Sequence, residues 1–307
     1  MQKPLCLLSL CLAFPALATN DTNAPTTMQV AQSAVVQDLM IQSRGIAIPA
    51  TFVQPSIKTN DPFPLVLLAH GHGGSRHENG GFSEIADKLA DYGIASIRID
   101  FPGCGDSTES FTRNTLTNMV TDATNAIAYA TSHAAIDNET IGILGYSMGG
   151  RVALELMEEI DFDAASFLAA AASNNGSQII DRIVGGEESH KALYAQANKE
   201  GSALFTTAFG AQQQLSQAWF DDLTDSKSLN HIKGFTGDIQ IVIGTEETPV
   251  RIEESQQLLD MATPTAASYQ VNEITGANHG YGFYSTDGTV KHLTTDAISA
   301  FFNNTLN

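Results

Sequence analysis

Positive charge, cysteine and long apolar runs are all scarce in this chain. Lys and Arg number 15 in 307 residues against 34 Asp and Glu, a formal net charge of −19. So acidic a surface repels phosphate backbones and anionic bilayers, which argues against a nucleic-acid partner. Only three cysteines occur, and two of them, Cys6 and Cys11, lie in the N-terminal run "LCLLSLCLAF". With Lys3 before that run and the small residues "ALA" at 16–18 after it, the segment reads as an export signal cut after Ala18. Leu10 is bulky for lipid attachment at Cys11, so simple release to periplasm or medium is the expectation. Cys104 would then be the one remaining thiol, unable to form an internal disulfide, and stability must come from the core. Outside the signal no stretch reaches the about 18 apolar residues that a membrane span needs.

What is present suffices for a large core: 43% of residues are hydrophobic, consistent with one α/β domain over 34–307 after a small, polar, mobile lead-in at 19–33. "VVQDLMIQ" and "GIAIPATFVQP", separated by "SRG", predict an antiparallel hairpin. From "FPLVLLAHG" onward, unbroken apolar strands alternate with helical spacings: "FSEIADKLADYG", "IASIRIDF", "TNMVTDATNAIAYATSH", "TIGILGYS", "GGRVALELMEEI". "AASFLAAAAS" suits a fourth strand, although its alanines fit a helix equally. "DIQIVIGT", "RIEESQQLLDMA", "SYQVNEIT" and "TVKHLTTDAISAFFNN" continue the alternation. This order implies right-handed crossovers and a mostly parallel sheet flanked by helices. Residues 174–236 break the rhythm, and an insertion of that size is expected to be a helical cap.

The stretch "GYSMGG" carries the chemistry. Ser147 follows a predicted strand and opens a predicted helix, the context of a nucleophile elbow, in which Gly145 and Gly149 clear room for a tight turn. A serine hydroxyl needs a base to take its proton. His279 in "GANHGYG" lies in a loop after the last strand, whereas the other late histidine, His292, falls within the closing helix. The base needs a carboxylate behind it. Glu246 and Glu247, adjacent at the end of "DIQIVIGT", both qualify by position. For the oxyanion, two backbone N–H donors are expected: Met148, directly after the nucleophile, and His72 in the glycine-rich "HGHGG" at 70–74.

That loop has a competing reading as a metal centre, with His70, His72, His77 and Glu78 close in sequence. An H-x-H-x-D-H arrangement would need Asp at position 74, and the chain has Gly74. No metal centre is therefore expected, and His70 is expected to be a buried support of the loop. "DFPGCGDS" is a turn signal, and nothing marks its Cys104 as reactive.

Together, "LLAHGHGGSRHENGGFSEIADKLADYGIASIRIDFPGCGDS", "GILGYSMGG", "IVIGTEETPV" and "GANHGYG" resemble the α/β-hydrolase superfamily, and within it the feruloyl and cinnamoyl esterases. The likeness covers 62–172 and 237–305. It implies an α/β-hydrolase fold with the cap inserted before the acid-bearing strand, and cleavage of carboxylic esters without a cofactor. In that family the acid commonly falls three residues after the glycine of G-T-x-D-x-x-V, which selects Glu247 over Glu246, with Glu standing where Asp is usual. A second departure is Cys104, where relatives often carry His. The triad so implied is Ser147, His279 and Glu247, acting on a small-molecule ester, with Trp219, Phe205 and Phe209 as candidate walls. Two alternatives share the sequence signals: a serine peptidase of the same fold, and a binding protein that kept the fold without the chemistry.

Overall fold

β1 (Val35–Ser43) and β2 (Ile46–Gln54) form the expected hairpin, turning through Arg44 and Gly45, both at positive φ. The computed structural model describes residues 34–307 apart from 58, 60 and 134. The expected signal (1–18) and lead-in (19–33) lie outside the described residues. Then follow β3 (Phe63–Ala69), α1 (Gly81–Asp91), β4 (Ala95–Ile99), α2 (Leu116–Thr131), β5 (Ile136–Tyr146), α3 (Met148–Leu156) and β6 (Ala164–Leu168). The alanines after Phe167 leave the strand at Leu168 and form the loop beneath α3. α1 stops where the sequence predicts, because Gly93 takes a left-handed φ of 82°. Thr115 caps α2, its side chain accepting the Asn118 N–H.

An insertion departs from the end of β6. It holds α4 (Gly176–Val184), α5 (Glu187–Glu200), a hairpin of β7 (Ser202–Thr206) and β8 (Gln212–Ser216), and α6 (Gln217–Asp225). Three helices agree with a helical cap; the hairpin does not. Its strand character is carried by a period of two, with Ala203, Gln213 and Leu215 buried, but the glutamines of "AQQQLS" hide that pattern. The buried Arg151 of α3 anchors the insertion, donating to the Ser173 carbonyl at 2.6 Å and the Ser226 carbonyl at 3.1 Å.

The chain then resumes with β9 (Asp238–Gly244), α7 (Ile252–Ala262), β10 (Ser268–Ile274) and α8 (Gly288–Leu306). The eight-stranded sheet has the order β1-β2-β4-β3-β5-β6-β9-β10, antiparallel at β1-β2 and β2-β4 and parallel elsewhere. The insertion therefore runs between two neighbouring parallel strands. Alternate residues of the parallel strands enter two cores. Leu65, Leu67 and Ile97 pack with Met119 and Val152 of α2 and α3, while Val66, Leu68 and Leu144 pack with Phe82, Leu89 and Phe302 of α1 and α8. Both faces are covered, which is why these strands read as unbroken apolar runs. After β3 the chain steps to β4 on one side, then returns to β5 on the other. The carboxyl ends of β3 and β5 thus flank a topological switch point, where such sheets form their crevices. Among the described residues, no helix is long and apolar enough to cross a membrane.

Candidate active site

β5 delivers Ser147 to that crevice. Its backbone sits at φ 52°, ψ −113°, a strained conformation for a residue with a side chain, held between β5 and the first turn of α3. The turn closes only because two positions lack Cβ. One on Gly149 would come within 1.9 Å of the Ala69 carbonyl oxygen, and one on Gly145 within 2.5 Å of Gly150 Cα. The Ser147 N–H donates to Leu168 O at 2.9 Å, which fixes the turn to the adjacent strand.

The loop after β10 brings His279 to the serine. Its Nε2 lies 3.1 Å from Ser147 Oγ, and its Nδ1 lies 2.9 Å from both oxygens of Glu247. A carboxylate only accepts, so Nδ1 carries the proton and Nε2 is free to accept from the serine hydroxyl. The Glu247 side chain is 2% exposed, and that of His279 is 26% exposed, open to an incoming ligand. Glu246 points to solvent and contributes only its backbone N–H, donated to Ala277 O at 2.9 Å. The structure thus joins Ser147, His279 and Glu247 in one chain of hydrogen bonds and leaves Glu246 out of it.

Two tyrosines that sequence reasoning missed complete this chain. Tyr281, fully buried, donates to Glu247 Oε2 at 3.1 Å. Burial and the adjacent Glu247 charge push its phenol well above the usual range. Tyr146, directly before the nucleophile, donates to the His279 carbonyl at 2.5 Å. Their signal was present in "GYS" and "HGY", but a tyrosine beside a glycine has no fixed role in sequence.

The β3 loop faces the serine from the other side. His70 is 1% exposed; its Nδ1–H donates to Gly71 O at 2.8 Å and its Nε2 accepts from the Phe101 N–H at 3.1 Å. Desolvation dominates its environment and pulls the imidazole down to about 4, so the ring is neutral. The carbonyl that His70 holds belongs to the same peptide unit as the His72 N–H. In a trans peptide the N–H points opposite to the C=O, so His70 aims the His72 N–H away from the core. Among the described residues, no acceptor pairs with that N–H. Met148 opens α3, where its N–H has no intrahelical acceptor and the helix dipole favours negative charge. The ring of His72 turns toward the insertion, with Nε2 2.9 Å from Gln213 Oε1 of β8 and the ring centroid 5.8 Å from that of Trp219.

The remaining candidates separate. His77 approaches Ser83 at 3.4 Å rather than His70 or His72. Cys104 is buried, and desolvation pushes its thiol up to about 12, where it is inert. His292 is an exposed partner of Glu84 on α8. Trp219 is packed, whereas Phe209 is 99% exposed at the β7–β8 turn and walls nothing here. Glu155, Glu158 and His231 place possible ligand atoms within 4.8 Å of one another, but on the far end of α3, where Glu155 already accepts from Ser228. A surface cleft between α2, α3 and α6, lined by Thr117, Glu155, Asp221 and Asp222, lacks a nucleophile–base pair.

The sheet order, the elbow and the enclosing helices define an α/β-hydrolase fold. A family model described as α/β hydrolase fold matches residues 64–177. Among curated proteins, the YtaP protein of Bacillus subtilis (strain 168) is 32% identical over 143 residues, 39% of this chain and 47% of that protein. The chain thus spans less than half the length of the curated relatives it matches. Among solved structures, Est1E of Butyrivibrio proteoclasticus, determined with ferulic acid bound, superposes with a TM-score of 0.69 at 21% identity, covering 87% of this chain and 98% of that one. The esterase Pf2001 of Pyrococcus furiosus gives 0.62 at 14% identity, covering 89% and 92%.

Proposed function

We propose that this protein is a serine esterase that cleaves small carboxylic esters through an acyl-enzyme. Ser147 Oγ attacks the ester carbonyl while His279 Nε2 takes its proton, and Glu247 holds the Nδ1 tautomer and stabilises the imidazolium. The N–H groups of Met148 and His72 receive the oxyanion. The imidazolium then protonates the departing alkoxide. Water, deprotonated by the same imidazole, attacks the acyl carbonyl; the proton returns to Ser147 as the acid leaves. No step calls for a cofactor.

One observation carries this reading: Ser147 Oγ, His279 and Glu247 lie in hydrogen-bond succession at 3.1 and 2.9 Å, beside a His72 N–H that no acceptor among the described residues pairs. The likeness to Est1E favours hydroxycinnamoyl esters, with short acyl esters as the other class to try. The N-terminal signal supports release from the cytoplasm, to periplasm or medium.

The test is fluorophosphonate labelling followed by an ester panel spanning acyl length and hydroxycinnamates, with an aminoacyl amide included. Wild type is expected to label and to cleave esters, while Ser147→Ala remains folded and does neither. Near-normal turnover by Ser147→Ala would exclude Ser147 as nucleophile. Preference for the amide would favour a peptidase, and a wild-type protein that neither labels nor turns over would favour a binding role.

A further inference from the structure

The loop after β3 and the loop after β10 lie some 200 residues apart in the chain, and the serine–histidine–glutamate succession does not fix the first against the second. A group outside that succession spans both. Glu78 is 1% exposed, and no step of the proposed reaction uses its carboxylate. Its Oε1 accepts the Gly71 N–H at 3.0 Å, and its Oε2 accepts the Tyr284 hydroxyl at 2.7 Å. The next residue repeats the link, as Asn79 Nδ2 donates to Phe283 O at 2.6 Å.

Holding the carboxylate there is costly. Glu78 and Asn79 take positive φ values of 41° and 48° in succession, which surrounding structure must impose. A Cβ on Gly74 would fall 2.2 Å from Glu78 Oε1, so the β3 loop is shaped around this side chain. Burial pushes the carboxyl up, while the Tyr284 and Gly71 hydrogen bonds and the nearby His279 ring pull it back. A buried, strained acid with both oxygens committed to different loops indicates a task that a neutral apolar residue could not perform.

We propose that Glu78 is a positioning residue, whose carboxylate ties Gly71 of the oxyanion loop to Tyr284 of the histidine loop. The tie keeps the His72 N–H and the His279 imidazole in register across the reacting carbonyl. His70 orients the peptide carrying that N–H; Glu78 anchors the peptide before it. This assignment rests on the esterase reading above.

Two variants test it. Glu78→Gln keeps shape and one acceptor; Tyr284→Phe, at an exposed ring, removes a single hydroxyl and leaves the carboxylate in place. Turnover is measured per active site titrated with fluorophosphonate, so misfolded protein is not counted. Each variant is expected to lose about tenfold in kcat with KM within about twofold, the signature of displaced rather than missing catalytic groups. Because Tyr284 acts through Glu78, the double variant is expected to be no slower than Glu78→Gln alone. Hydrogen exchange supplies a readout besides activity: Tyr284→Phe is expected to speed exchange in residues 70–77, far away in sequence. Wild-type kcat per titrated site in both variants, or unchanged exchange in that loop, would overturn the tie. A wild type that neither labels nor turns over would instead remove the esterase reading and this role with it.

Discussion

The Tyr281 hydroxyl donates to Glu247 Oε2 at 3.1 Å and accepts the Gly244 N–H at 2.9 Å with the same oxygen. Glu247 is thereby held from below by the strand that carries it. Its Oε1 is held too, accepting the Val250 N–H at 3.0 Å. An acid so restrained presents one edge to His279 and has little freedom to leave it.

Removing the Tyr281 hydroxyl should therefore act on the histidine through the acid. Tyr281→Phe is expected to lower kcat/KM by about 10- to 150-fold, matching the about 1.5–3 kcal/mol of a hydrogen bond to a charged group. Steady-state kinetics on the best ester of the panel decides it. An unchanged kcat/KM would mean that the Val250 and His279 contacts alone hold the carboxylate.

The two adjacent acids should differ sharply. Glu247→Gln leaves a group that can present its N–H₂ to His279 and so disfavours the productive tautomer, at a cost on the order of 10³–10⁴ in kcat. Glu246→Gln alters only a solvated side chain and is expected to stay within about twofold. Side-by-side kinetics of the two variants would exchange the assignments if the ranking were reversed.

Acid should weaken the fold through His70. Its imidazole falls from 6.5 to about 4 on burial, so between those values the unfolded chain binds a proton that the native state refuses. The contribution is fully present above about pH 6.5 and lost as pH falls toward 4. Between pH 7 and pH 4.5 this amounts to roughly 2–3 kcal/mol at one site. Urea unfolding at both pH values, for wild type and His70→Gln, measures it. Wild type is expected to lose more stability on acidification, and parallel losses in the two proteins would contradict the buried neutral ring.

The fold was largely legible because both faces of its sheet are covered. Strands such as β3 and β9 have no polar side to present, and the glycines around Ser147 mark a clearance that any sequence must provide. Choosing between Glu246 and Glu247 was another matter. Both follow the same strand, and only the turn at 245–250 decides which one faces His279. Glu78 and Tyr281 were illegible for a related reason: each acts on a partner brought close by the tertiary fold, and neither residue type announces such a task. The β7–β8 hairpin was missed because its inward residue Gln213 is polar, chosen for the ring of His72 rather than for a core.

The route of the insertion limits how this protein can be altered. Since β6 and β9 are parallel neighbours, the chain leaving Leu168 must travel back along the whole length of the sheet before Asp238 can begin. In most crossovers a single helix makes that journey; here the insertion makes it, pinned near its two ends, at Ser173 and Ser226, by Arg151. Excision would leave two strand ends that no short linker could bridge. A graft in this region would have to retain the return segment after Asp225, so replacement is confined to the portion between Ser173 and α6.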